Sequence, residues 1–278
     1  MIYRIFYLSP FEKNKIFYYI ASWCLSNNNN NMLLWFVSDI HEDVNALKKW
    51  LSLLQEKRCD KLICLWDIVD LSDKTRCIEL VQKDCDISVI WNHDICAIKR
   101  IPESAGIFKY PDNWYQLSIP EQIKMADNRI WMIESDEDLN NLKVSDNTKD
   151  FLSSLHEWTI FESDNVNILL SHRVYPNLSW CWKTPDEQRI KNDISDYFQH
   201  FDFMENHNCK ISFVGHEHDR NLVYTRNESF NIEFDKPYTI WDIPCCFSVP
   251  AIWCCHSTMQ QWVAIFDTEK MEVTYLKI

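Results

Sequence analysis

The chain has 278 residues, 46% hydrophobic and 25% charged, the balance of a soluble globular protein that buries a sizeable core. Its formal net charge of −13 argues against a broad polyanion-binding face, because nucleic-acid binders carry basic surfaces; a local basic cleft stays compatible with it. No apolar run approaches the length of a membrane span.

Twelve cysteines would suggest a disulfide framework in a short secreted chain, but this chain is long and has no convincing signal peptide. They are scattered apart from the vicinal pairs Cys245-Cys246 and Cys254-Cys255. No C-x-x-C pair offers a structural zinc site, so free thiols in a reducing cytoplasm are expected. Glycine is the anomaly. A usual frequency of about 7% would give about twenty, yet Gly106 and Gly215 are the two present, beside thirteen tryptophans.

Residues 1–31 read as a disordered leader, or an extension upstream of a start at Met32. They close on Asn27 to Asn31, a run with no apolar face, which reads as linker. The apolar stretch Ile16 to Leu25 is about half a membrane span, so an anchor is the weaker alternative. From Met32 to Ile278 a single domain is expected.

Met32 to Val37 reads as a buried strand ending on Ser38-Asp39-Ile40-His41. Val44, Leu47, Trp50, Leu51 and Leu54 fall at helical spacing. Lys61 to Trp66 is a second strand, ending on Asp67. Ile78, Leu80 and Val81 predict another helix. Ile87 to Trp91 predicts a third strand, ending on Asn92-His93-Asp94. This βαβ alternation implies a parallel sheet with polar clusters at its carboxyl ends. Ala97 to Ser163 is expected to fold as helices and loops capping the site. Val166 to Leu170 predicts a strand ending on Ser171-His172, followed by a charged helical segment to about Asn208. Lys210 to Val214 predicts a strand ending on Gly215-His216-Glu217-His218. Later runs at Tyr238–Ile240, Trp262–Phe266 and Glu272–Leu276 read as antiparallel strands.

Five strand ends thus deliver Asp39 and His41, Asp67, Asn92 and His93, His172, and His216 and His218. Alternate residues on an extended segment point the same way, so Asp39 and His41 can reach one point. Carboxylate, imidazole and amide oxygen without thiolate suit manganese, iron, zinc or nickel. Asp39, His41, Asp67, Asn92, His172, His216 and His218 give seven candidate ligands, which exceed what one ion takes from protein and fit two ions bridged by a carboxylate.

In this order, Asp-x-His, Leu-Trp-Asp-Ile-Val-Asp, Asn-His-Asp, Ser-His and Gly-His-x-His resemble the calcineurin-like metallophosphoesterase superfamily, over Met32 to Ile278. Ser-Asp-Ile-His followed by Asn45-Ala46-Leu47 is similar to its compact bacterial and archaeal branch. The resemblance implies a four-layer αββα sandwich of two mixed sheets. It implies a first metal on Asp39, His41 and His218, a second on Asn92, His172 and His216, and a bridge from Asp67. His93 would be the general acid that protonates the leaving oxygen, with Asp94 orienting its imidazole. Asp70 reads as a loop carboxylate, and His156, His200, His207 and His256 as structural or surface residues. Arg173 reads equally as a phosphate contact or a solvated side chain.

The sequence departs from the family where glycine is usual: Trp66, Trp91, Glu42 and Arg173 stand there instead. Two accounts are open. Tryptophan beside the ligands alters or abolishes turnover, leaving a binding scaffold; or a UGA codon read as glycine in the cell has been written as tryptophan. A TGG codon at positions 66 and 91 would sink the second. Asp70-Leu71-Ser72 stands where the protein-phosphatase branch has Asp-Arg-Gly, and the acidic balance disfavours a nuclease. The expectation is therefore a cytoplasmic dinuclear phosphoesterase, manganese first among its metals, acting on a phosphorylated small molecule or nucleotide.

Overall fold

The computed structural model describes residues 31–65, 67–69, 76–98, 113, 116–125, 145–176, 178, 197–216, 222–241, 243–252 and 261–277. Residues 1–30 of the expected leader 1–31, and Trp66, Asp70, His218 and His256, lie outside them.

Two mixed six-stranded sheets form the α/β framework. The first has β1 (Leu33–Val37) near its centre, parallel to β2 (Lys61–Cys64), which is parallel to β3 (Ile87–Ser88). On its other side β1 pairs antiparallel with β11 (Trp262–Asp267), which leads to β12 (Glu272–Lys277) and β9 (Tyr238–Thr239). The second sheet runs β4 (Trp158–Glu162), β5 (Asn167–Ser171), β6 (Ile211–Val214), β10 (Cys245–Ser248), β7 (Leu222–Thr225), β8 (Ser229–Asn231).

Period-2 alternation decides which faces are buried against what. Ile168, Leu170, Ile211, Phe213, Val223, Cys245 and Phe247 of the second sheet join the core shared with the first. Their neighbours Leu169, Val214, Tyr224 and Cys246 turn the other way, onto Phe201 and Met204 of α6 (Phe198–Asn206). Phe213 stacks on Phe36 of β1 with ring centroids 4.1 Å apart, the contact that joins sheet to sheet. The Tyr275 hydroxyl adds a cross-sheet bond, donating to the Ser248 carbonyl at 2.7 Å. α1 (Val44–Glu56) buries Ala46, Leu47 and Trp50, the face its 3.6-residue spacing predicts, and Asp43 caps it by accepting from the Ala46 amide. α2 (Arg76–Asp84) buries Cys77, Ile78 and Val81 in the same core. The expected layered α/β fold is present.

Three local expectations change. The third strand is two residues long, because Asn92 already begins α3 (Asn92–Ile98), whose first bond runs from the Ile95 amide to the Trp91 carbonyl at 2.7 Å. Within the stretch expected to hold helices and loops, α4 (Ile119–Met125) and α5 (Asp146–Ser154) are present, but Trp158–Glu162 is a full edge strand. Its half-buried Trp-Thr-Ile-Phe pattern carries no clean alternation to reveal it. In the carboxyl-terminal region β10 pairs parallel with β6 as well as antiparallel with β7. Cys59, Cys64, Cys77, Cys85, Cys209 and the buried pair Cys245-Cys246 are free thiols, and no helix among the described residues is long and apolar enough to cross a membrane.

His200 of α6 is fully buried outside the polar strand ends. Its Nδ1 accepts the Tyr175 amide at 2.9 Å, so Nε2 carries the proton and donates to Ser212 Oγ at 3.0 Å. Burial pushes its pKa down from 6.5 to about 3. The unfolded chain therefore takes up a proton below pH 6.5 that the folded chain refuses. The contribution of His200 to stability is complete above that pH and falls as pH drops toward the folded value, by up to about 1.4 kcal/mol per pH unit. The measure is a difference: below pH 6.5 urea unfolding of His200→Gln should lack that much of the slope shown by the unsubstituted chain.

Candidate metal centre

The parallel strands β1, β2, β3, β5 and β6 all end toward one rim, and the polar residues follow them there. The loops they enter are strained. Asp39, His41 and Glu42 after β1 have φ of 51°, 43° and 58°; Asp67 after β2 has 75° and His216 after β6 has 72°. A left-handed backbone costs a non-glycine residue roughly 1–2 kcal/mol. Glu42 thus holds, at that cost, a conformation open to glycine for nothing.

Bonds between the loops keep them in place. The His41 and Glu42 amides donate to the Asp67 and Ile68 carbonyls at 2.7 and 2.9 Å. The His216 amide donates to Asp39 Oδ2 at 3.0 Å, Gly215 donates to the His172 carbonyl at 2.9 Å, and Ile252 donates to the Ser38 carbonyl at 3.0 Å. Asp94, fully buried in α3, accepts the Val69 amide at 3.1 Å and so ties the Asp67 loop to that helix. Loss of solvent outweighs the amides around it and pushes its carboxyl up to about 8.

Gly215 is used for space. A Cβ there would lie 1.9 Å from Ser38 Oγ and 3.0 Å from both Asp39 Oδ2 and His172 Cε1. The chain keeps one of its two glycines where the loops from the two sheets meet.

The side chains fall into two sets. His41 Nε2 and Asp67 Oδ2 are 2.7 Å apart in a nearly dry setting. His93, half-buried at the start of α3, joins them: one ligand atom from each of His41, Asp67 and His93 lies within 4.8 Å of the others. The His41–Asp67 pair suits a divalent ion, and His93 lies close enough to act on what that ion binds, so this set fits a metal. The second set is His172 and His216, with ring centroids 5.4 Å apart and planes at 86°. His172 Nδ1 donates to the Leu65 carbonyl at 2.8 Å, which leaves the lone pair on Nε2. Asp39 stands outside the first set and meets the second through the His216 amide. Asn92 lies at the first position of α3, and His218 lies outside the described residues. Glu42 and Arg173 are both buried, so the solvated reading of Arg173 does not hold.

The supports of this centre are mostly backbone: the Leu65 carbonyl, the His216 amide, the Cα of Gly215. Of these, Gly215 alone had a sequence signal, the Gly-His-x-His motif at the end of its strand.

A profile of calcineurin-like phosphoesterases matches residues 32–220. The chain belongs to the calcineurin-like phosphoesterase family. That family is one of metal-dependent phosphoesterases, and solved structures agree on its fold. A metallophosphoesterase from Sphaerobacter thermophilus is similar at 19% identity and a TM-score of 0.61, over 89% of this chain and 88% of the other. A hypothetical protein of Pyrococcus horikoshii OT3 is similar at 13% identity and a TM-score of 0.53, over 88% of this chain and 87% of the other. No curated protein matches the chain. A calcineurin-like phosphoesterase fold with a His/Asp group able to hold metal is thus established here.

Gly215→Ala should push the loop of Ser38 and Asp39 away from His172. Overpacking of this kind costs about 1–3 kcal/mol, read as a lower unfolding midpoint. Adding Ser38→Gly removes the 1.9 Å clash and should restore most of the loss; no recovery would show that the strain lies elsewhere.

Proposed function

We propose that this chain hydrolyses a phosphomonoester or phosphodiester, in a metal-dependent reaction at the rim where the two sets of side chains meet. The observation that carries the reading is the buried His41–Asp67 pair with His93 beside it. Manganese is the first choice among metals for such a mixed oxygen and nitrogen set. A divalent ion there would supply a Lewis acid and lower the pKa of a bound water toward neutrality.

Burial divides the roles within the group. His41 and Asp67 are enclosed and would hold the ion; His93 is only partly buried and would meet the substrate. Its imidazole would give a proton to the leaving oxygen, a step worth about 10²–10⁴ in rate. Asp94 would act one layer back, through its hold on the Asp67 loop. A net charge of −13 speaks against a long nucleic-acid substrate, so a phosphorylated small molecule or nucleotide is the proposed class. We place the working domain at residues 32–278, in the cytoplasm.

A second reading is a metallophosphoesterase fold kept as a binding scaffold. One observation favours it: the Trp91 indole packs directly on His172.

The test is hydrolysis of an aryl phosphomonoester and an aryl phosphodiester. Chelation should abolish turnover and manganese restore it. His93→Ala should lower kcat about 10²–10⁴-fold and leave metal bound, while Asp67→Asn should lose the metal as well. Turnover indifferent to chelation would overturn the proposal, and none on either ester would favour the scaffold.

A further inference from the structure

We infer that this chain holds one divalent ion, on the His41–Asp67 side, because Trp91 takes the place of a second. The inference rests on the metal-dependent reading above and departs from the two-ion expectation.

Trp91 is 2% exposed and lies among four histidines. Its indole stacks on His172 with centroids 3.7 Å apart and planes at 23°. It meets His216 edge-on at 5.2 Å and 80°, His93 at 5.4 Å, and His41 at 6.2 Å and 76°. The indole therefore packs against all four rings, most closely against His172. An ion on His172 and His216 would also need oxygen ligands at about 2.0–2.2 Å on its open positions. An indole has no lone pair to offer, since its nitrogen is a donor only; lying over His172 and against His216, it takes up room such oxygens need and cannot replace them.

The main chain gives Trp91 no reason to leave. Residue 91 is not among the described positions of positive φ, so its backbone is one any residue adopts. Its carbonyl accepts the first bond of α3 from Ile95 at 2.7 Å, which anchors the residue in the packed wall. His41 and Asp67 keep their own 2.7 Å contact, and of the four histidines His41 is the one farthest from the indole, 6.2 Å between centroids. The first set therefore survives the substitution that closes the second.

The test is metal stoichiometry on the full chain. The protein is stripped with chelator, reloaded with manganese or with zinc, exchanged into metal-free buffer, and measured by inductively coupled plasma mass spectrometry. One ion per chain is expected, with the electron paramagnetic resonance of an isolated manganese ion. Trp91→Gly and Trp91→Ala, checked for folding by circular dichroism, should each take two. Two ions in the chain with Trp91, or a spin-coupled manganese pair, would overturn the inference and leave the phosphoesterase reading standing. One ion in both folded variants would overturn it too. No ion in any form would overturn that reading along with the inference.

Discussion

The centre depends on backbone held where side chains make it costly. Asp39, His41, Asp67 and His216 all have left-handed φ, and each lies in a loop tied to a neighbour by a main-chain amide. A loop free to relax would move its ligand by more than a coordination bond tolerates. Strain of about 1–3 kcal/mol per residue persists only where the surroundings over-determine the conformation. Here the surroundings are the other loops, so the candidate ligands position one another.

That mutual bracing requires the two sheets to be locked face to face. Phe36 on Phe213 and the Tyr275–Ser248 bond set their spacing. The Ser38–Glu42 and Asp67–Val69 loops come from the first sheet, and His172 and Gly215–His216 from the second. The bonds His172–Leu65 and His216–Asp39 cross between them. Gly215 marks how close the approach is, for not even a methyl group fits there.

Against this framework Trp91 is a large residue at a crowded point, and the fold accepts it without backbone strain. What it displaces is chemistry. The strained family-glycine position is Glu42, where φ is 58°; at residue 91 the consequence of replacing glycine is the volume of an indole among imidazoles. The two substitutions look alike in the sequence and act through different physics.

The strand–helix alternation, the core faces of α1 and α2 and the order of the polar strand ends were legible because hydrophobic periodicity and turn chemistry are local. So was membership of a metal-binding fold, since ligand residues recur at fixed offsets from strand ends. The edge strand Trp158–Glu162 and the parallel partner of β10 were not, because pairing is chosen by distant neighbours. Nor did the sequence show that His93 would lie with His41 and Asp67 while Asp39 meets the His216 amide, although the family resemblance had already set His41 apart from His172 and His216. Residue types decide which chemistry is available. Which ligands share a point is set by how two sheets, their loops and one tryptophan pack, and only the tertiary structure determines that.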